Sequence, residues 1–149
     1  MHQRLQTKTI VSVGYERRDI DEFVELLRSE EVALLVDVRL NAISRKRGFS
    51  KTALATALEK AGIEYRHERA LGNPKANRDA FRRGDESARQ GYEEHLRGDA
   101  GEIRDEIVEL AASVRLALLC FERDHTTCHR SSITAAALAE DPGISIVEL

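Results

Sequence analysis

The chain has 149 residues, 33 % of them charged and 42 % apolar, with a formal net charge of −3. This suits one domain over residues 1–149 with a single core, and the balanced charge gives no global pull toward nucleic acid or an anionic membrane. The apolar runs are far too short to span a bilayer, Met1 to Thr9 lack a secretory pattern, and two cysteines make no disulfide framework, so a cytoplasmic protein with reduced thiols is expected.

The chain opens on an apolar run, Thr9–Val13, that reads as a strand. Asp19, with Glu22 three residues on, forms a capping box, and Ile20, Phe23, Val24 and Leu27 then share one helical face. Ala33–Val38 is a nearly continuous apolar strand, as expected for one buried on both faces. Ser50 is placed to cap a second helix, with Phe49 and Leu54 as a hydrophobic staple and Gly62 as its left-handed terminus. A strand at Ile63–His67 leads into Leu71–Asp85, which reads as a long irregular basic loop. A helix over Glu86–Leu96 follows. Another is capped at Asp99, with Glu102, and carries Ile103, Ile107, Leu110 and Val114 at helical spacing. The strand Arg115–Cys120, a helix over Cys128–Glu140 stopped by Asp141-Pro142-Gly143, and the strand Ile144–Glu148 complete the chain. Alternation of strand and helix predicts an α/β fold: a three-layer, doubly wound, mostly parallel five-stranded sheet, Rossmann-like, in the order 3-2-1-4-5.

Ligands of such sheets bind beyond the carboxyl ends of the strands. The chemistry-bearing side chains fall there: Gly14, Tyr15 and Arg18 after the first strand, Asp37, Arg39, Ser44 and Arg45 after the second, Glu122 after the fourth, and Cys128, His129 and Arg130 opening the last helix. Arginine forks and helix-start N–H groups suit phosphate or carboxylate. Gly14, Tyr15, Arg18, Arg39, Ser44, Arg45 and Arg130 are therefore candidate anion-binding residues; surface ion pairing is the commoner explanation for any single arginine, but not for a group placed systematically at strand exits. Asp37, Glu122, Cys128 and His129 are the candidate catalytic groups.

The segment Cys120–Arg130, CFERDHTTCHR, admits several chemistries. A disulfide is disfavoured by a reducing compartment. The spacing C-x4-H-x2-C-H matches no zinc-finger pattern, and Cys128 and His129, adjacent at a helix start, point about 100° apart, so no metal site is expected. Cys128 at a helix start beside His129 and Arg130 is a plausible low-pKa thiol. The C-x5-R loop of cysteine phosphatases is absent, however, because Thr134 follows Cys128 by six residues and Thr126 follows Cys120 by six.

Three stretches resemble the domain of unknown function 488 family. They are Val13-Gly14-Tyr15-Glu16-Arg17-Arg18 leading to Phe23; Leu35-Val36-Asp37-Val38-Arg39 followed by Asn41, Ser44, Arg45, Phe49 and Ser50; and Leu118-Leu119-Cys120-Phe121-Glu122 followed by Cys128-His129-Arg130. The resemblance implies an α/β protein of unknown activity whose motif positions are Gly14, Tyr15, Arg18, Asp37, Arg39, Ser44, Phe49, Ser50, Gly72, Cys120, Glu122, Cys128, His129 and Arg130. Ala42 and Asn73 depart from the family's usual proline and glycine.

Three functional expectations stand side by side. The first is an enzyme on a phosphorylated small molecule, a nucleotide or a nucleic-acid end. The second is a non-catalytic nucleotide- or nucleic-acid-binding module, helped by the basic stretch Lys75–Arg83. The third is a Cys/His metal-binding or thiol-redox protein, and beside these stands a structural reading in which Asp37, Arg39, Glu122 and Arg130 form a buried ion-pair network that fixes the strand ends. An anionic small molecule or nucleotide is the expected partner, with nucleic acid a further candidate and a membrane not; no cofactor is named by the residues.

Overall fold

Five strands alternate with helices, much as the hydrophobic pattern predicts, in a computed structural model that describes residues 8–149. The elements are β1 (Thr9–Gly14), α1 (Ile20–Ser29), β2 (Leu34–Asp37), α2 (Lys51–Lys60), β3 (Glu64–His67), α3 (Lys75–Arg82), α4 (Glu86–Arg97), α5 (Gly101–Ala111), β4 (Leu116–Cys120), α6 (Arg130–Glu140) and β5 (Ser145–Glu148). Short 3-10 turns at Arg69–Leu71 and His125–Thr127 precede α3 and α6.

The sheet is wholly parallel and runs β3-β2-β4-β1-β5. This corrects the expected order 3-2-1-4-5: β4 lies between β1 and β2, with Leu116 in register with both Ile10 and Leu34. Nothing in the strand sequences distinguishes the order, since β1, β2 and β4 are all fully buried apolar runs. Only the outer strands β3 and β5 carry exposed residues.

Strand residues alternate between two cores, as the two-residue pleat requires. Ile10, Leu34, Val36, Leu116 and Leu118 pack beneath α3 to α6 through Phe81, Tyr92, Leu96, Ile107 and Ile133. Val11, Val13, Leu35, Ala117 and Leu119 pack beneath α1 and α2 through Phe23, Leu27, Leu54 and Leu58. Each buried side chain of this size contributes roughly 1.5–3 kcal/mol, so the two faces make a three-layer α/β domain. Because α6 leaves β4 on one face while α1 and α2 leave β1 and β2 on the other, the helices diverge over the carboxyl ends of these three neighbours. That divergence opens a crevice at the sheet's central exits.

Local signals explain most boundaries. Asp19 and Glu22 form the capping box, each accepting from the other's backbone N–H. Gly62 adopts φ +78°, the left-handed conformation expected after α2. Ser50 begins α2 without capping it; its hydroxyl instead accepts from Ser44 N and donates to Ser44 O, tying the 44–50 loop. Asp99 does not cap α5, whose N-cap position is taken by Ala100 with no side-chain hydrogen bond. The stretch read as irregular folds as α3, and α6 begins at Arg130, two residues later than expected. Among the described residues no helix is long and apolar enough to cross a membrane.

Candidate functional site

At the exit of β2, Asp37 is fully buried and its carboxylate is saturated. Oδ1 accepts from Arg39 N at 3.1 Å and Nε at 2.9 Å; Oδ2 accepts from Arg39 Nη2 at 2.7 Å and from Tyr65 Oη at 2.6 Å. The Arg39 fork is spent as well, because Nη1 donates to Phe49 O at 2.7 Å and Tyr15 Oη at 3.3 Å. Burial alone would depress the Arg39 guanidinium, but its bonds to Asp37 raise it above the ordinary arginine value. Tyr65 is likewise pushed up, first by burial and then by Asp37. The pair cross-links β2, β3 and the 44–50 loop, and Tyr15 stacks on Phe49 beneath it at 4.5 Å.

At the exit of β1, Gly14 serves packing. A Cβ there would run into the Glu122 carbonyl and Arg123 Cα, so only glycine lets β1 and the β4 exit approach this closely. Arg18 folds back to donate from Nε to Gly14 O at 3.0 Å, and burial followed by Arg123 lowers its pKa. Ser44 shapes its loop by accepting from Lys46 N, and Arg45 is exposed. Asp37, Gly14, Arg18, Ser44 and Arg45 do not line the central cleft.

The β4 exit and the start of α6 bring the remaining candidates together. Cys120 and Cys128 are paired as a disulfide, both 2 % exposed, which corrects the expectation of reduced thiols. They lie eight residues apart, and their meeting is a product of the turn at His125–Thr127 that folds α6 back over β4. His129, buried, donates from Nε2 to Val38 O at 2.8 Å. The carbonyl can only accept, so Nδ1 is the unprotonated nitrogen, and it lies 3.6 Å from Cys128 Sγ. Burial drives the His129 pKa down to about 4, leaving the imidazole neutral. Arg130 is fully buried, 3.4 Å from Cys128 Sγ through Nε, and its Nη2 donates to Glu122 O. Burial lowers its pKa to about 10, and Nη1 has no partner among the described residues. Glu122 is buried, with one oxygen 3.6 Å from Cys120 Sγ and the other paired with Arg82, whose pKa that bond raises.

A cleft of about 200 Å³ opens over this cluster, its walls including Arg39, Asn73, Arg78, Arg82, Glu122 and His129. A larger cleft of about 650 Å³ shares Leu40 and Asn73 with it but holds neither thiol nor carboxylate, so the reactive groups concentrate in the smaller one. Three of its residues were not singled out as site residues from the sequence. Arg78 and Arg82 sit four apart on α3, within the stretch read as irregular; their i, i+4 spacing was the available signal. Asn73, noted only as a family departure, is 2 % exposed, its Oδ1 accepts from Asn77, and its Nδ2 has no partner among the described residues. Half-buried Arg78 makes no ion pair among the described residues.

A family model described as Domain of unknown function DUF488 matches residues 19–137. The chain belongs to this family. In the DUF488 fold seen here, two of the three stretches that carried the resemblance lie within the match, and these motifs supply the Asp37–Arg39 knot and the Cys120–Cys128–His129–Arg130 cluster. No curated protein and no solved structure matches the chain. The family description names no activity, so function rests on the geometry.

Proposed function

We propose that the cleft over the exits of β1, β2 and β4 binds a small anionic ligand bearing phosphate or carboxylate groups. The observation that carries this reading is the charge balance of the walls: Arg39, Arg78 and Arg82 face the cleft against the single carboxylate of Glu122. Arg39 is neutralised by Asp37 and Arg82 by Glu122, which leaves Arg78 as the cleft's one unpaired arginine among the described residues, with Asn73 Nδ2 an unsatisfied donor in the same wall. A buried donor without an acceptor costs roughly 1–3 kcal/mol, a cost that a bound oxyanion removes. Asp37, Gly14, Arg18 and Ser44 hold the strand exits and the 44–50 loop around this site. Glu122 is the proton acceptor for any chemistry on the ligand, and Cys120 and His129 line the cleft beside it, with Cys128 buried behind them.

The size of the cleft favours a small molecule over a nucleic-acid backbone. The basic run Lys75–Arg83 folds into α3 and spends Lys75 on Asp79 and Arg82 on Glu122, so it presents no continuous cationic stripe. A thiol-redox reading is favoured by one specific observation, the Cys120–Cys128 disulfide beneath the cleft. The two readings separate by calorimetric titration with pyrophosphate. Saturable binding that is lost in Arg78→Ala and unchanged on reduction supports the anion site. Absence of binding, or equal binding by Arg78→Ala, overturns it.

A further inference from the structure

We infer that in the reduced protein Cys120, Cys128 and His129 form a three-ligand metal site of the zinc class, with the fourth coordination position open to the cleft. The inference stands on side-chain geometry and does not depend on the anion reading. One ligand atom from each of the three residues lies within 4.8 Å of the others, all three residues being buried. Bonds of about 2.3 Å to sulfur and 2.0 Å to nitrogen at a tetrahedral centre place neighbouring donor atoms about 3.5–3.8 Å apart; the 3.6 Å from Cys128 Sγ to His129 Nδ1 falls in that interval.

His129 is presented as metal-ligating imidazoles are. Nε2–H is committed to Val38 O at 2.8 Å, which fixes the ring and leaves the Nδ1 lone pair toward the sulfurs. Tyr92 braces the ring edge-on at 5.1 Å. The objection that adjacent Cys128 and His129 point apart on a helix does not apply. Cys128 is extended, with φ −119° and ψ 146°, and lies before the first turn of α6. The Cα atoms of Cys120 and Cys128 are 7.5 Å apart, beyond the 4.4–6.8 Å usual for a disulfide, a span that leaves room for an ion between two thiolates.

The surroundings fit the charge of such a centre. The Arg130 backbone N–H and Nε both point at Cys128 Sγ, at 3.5 and 3.4 Å, and would stabilise a bound thiolate. Cys120 and His129 line the cleft together with Glu122, whose carboxylate lies 3.6 Å from Cys120 Sγ. Two sulfurs and one imidazole, with a fourth position facing solvent and a carboxylate beside it, is the arrangement of a catalytic zinc ion rather than a closed structural one. Loading requires reduction first. A thiol reductant transfers two electrons and two protons to the disulfide, giving two thiols and its own oxidised form. The metal then displaces the two thiol protons on binding.

The test is titration of the reduced wild-type chain with Co²⁺ under argon, followed by Zn²⁺. One Co²⁺ per chain, with thiolate-to-cobalt charge-transfer absorption and the intense visible bands of tetrahedral coordination, displaced by Zn²⁺ and absent from the oxidised chain and from Cys128→Ser, is the expected result. In parallel, Zn²⁺ should suppress iodoacetamide alkylation of both cysteines in the reduced wild type, a readout that needs no variant to fold. A weak octahedral spectrum, or alkylation unaffected by Zn²⁺, would overturn the site.

Discussion

Replacing Asp37 with asparagine exchanges one carboxylate oxygen for an amide NH2 in a fully buried, hydrogen-bonded side chain of the site. The carboxylate accepts four hydrogen bonds, three from Arg39 and one from Tyr65, and is fully buried, while the Arg39 side chain is only 7 % exposed. The substitution keeps the shape of the side chain but turns an amide NH2 toward a guanidinium that has no other acid. Removing one partner of a buried pair leaves the other charge uncompensated, at a cost of roughly 3–5 kcal/mol. For a domain of this size each kcal/mol lowers Tm by about 2–4 °C, so the melting point should fall by roughly 6–20 °C. Thermal and urea denaturation followed by far-UV circular dichroism at neutral pH measure this directly, with Arg39→Met as companion. The double variant should lose less than the sum of the single losses, since it removes both charges. An Asp37→Asn chain within about 1 kcal/mol of wild type would refute the reasoning, because it would show that the pair does not organise the β2 exit.

Two further outcomes test the fold beneath the site. Gly14→Ala should destabilise by about 2 kcal/mol or more, because the added methyl meets backbone at Glu122 and Arg123 that cannot rotate away; an unchanged urea midpoint would contradict the close approach of β1 and β4. Asp19→Ala removes one half of the α1 capping box and should cost roughly 1 kcal/mol by the same assay, whereas Asp19→Ser should cost a few tenths at most.

The sequence made the buried strands and the capping box of α1 legible because each is a local pattern: a continuous apolar run, or an acid paired with Glu three residues on. The strand order was not legible, because β1, β2 and β4 are interchangeable as apolar runs and their order is decided by how helices pack on each face. Helix α3 escaped notice because it buries only Phe81, too little to set up a hydrophobic period. The same blindness hid Arg78 and Arg82. At the site, the convergence of three strand exits was readable from where the polar residues fall. A buried Asp37–Arg39 pair is one reading of the sequence, but the partners that complete it were not legible, since Tyr65, Phe49 and Tyr15 lie up to 28 positions away. The pairing of Cys120 with Cys128 depends in the same way on the turn at His125–Thr127, which no residue spacing announces.

The central claim is that the small cleft above Glu122 and His129 is an anion site whose unpaired arginine among the described residues is Arg78. The most direct measurement is ¹H–¹⁵N chemical-shift mapping of the wild-type chain, with arginine and asparagine side-chain signals observed, during titration with pyrophosphate. Saturable shifts centred on Arg78, Arg82, the Asn73 side-chain amide and His129, with Arg39 little changed, are the expected result. Shifts scattered over the exposed lysines and arginines, or none at Arg78 and Asn73, would contradict the claim.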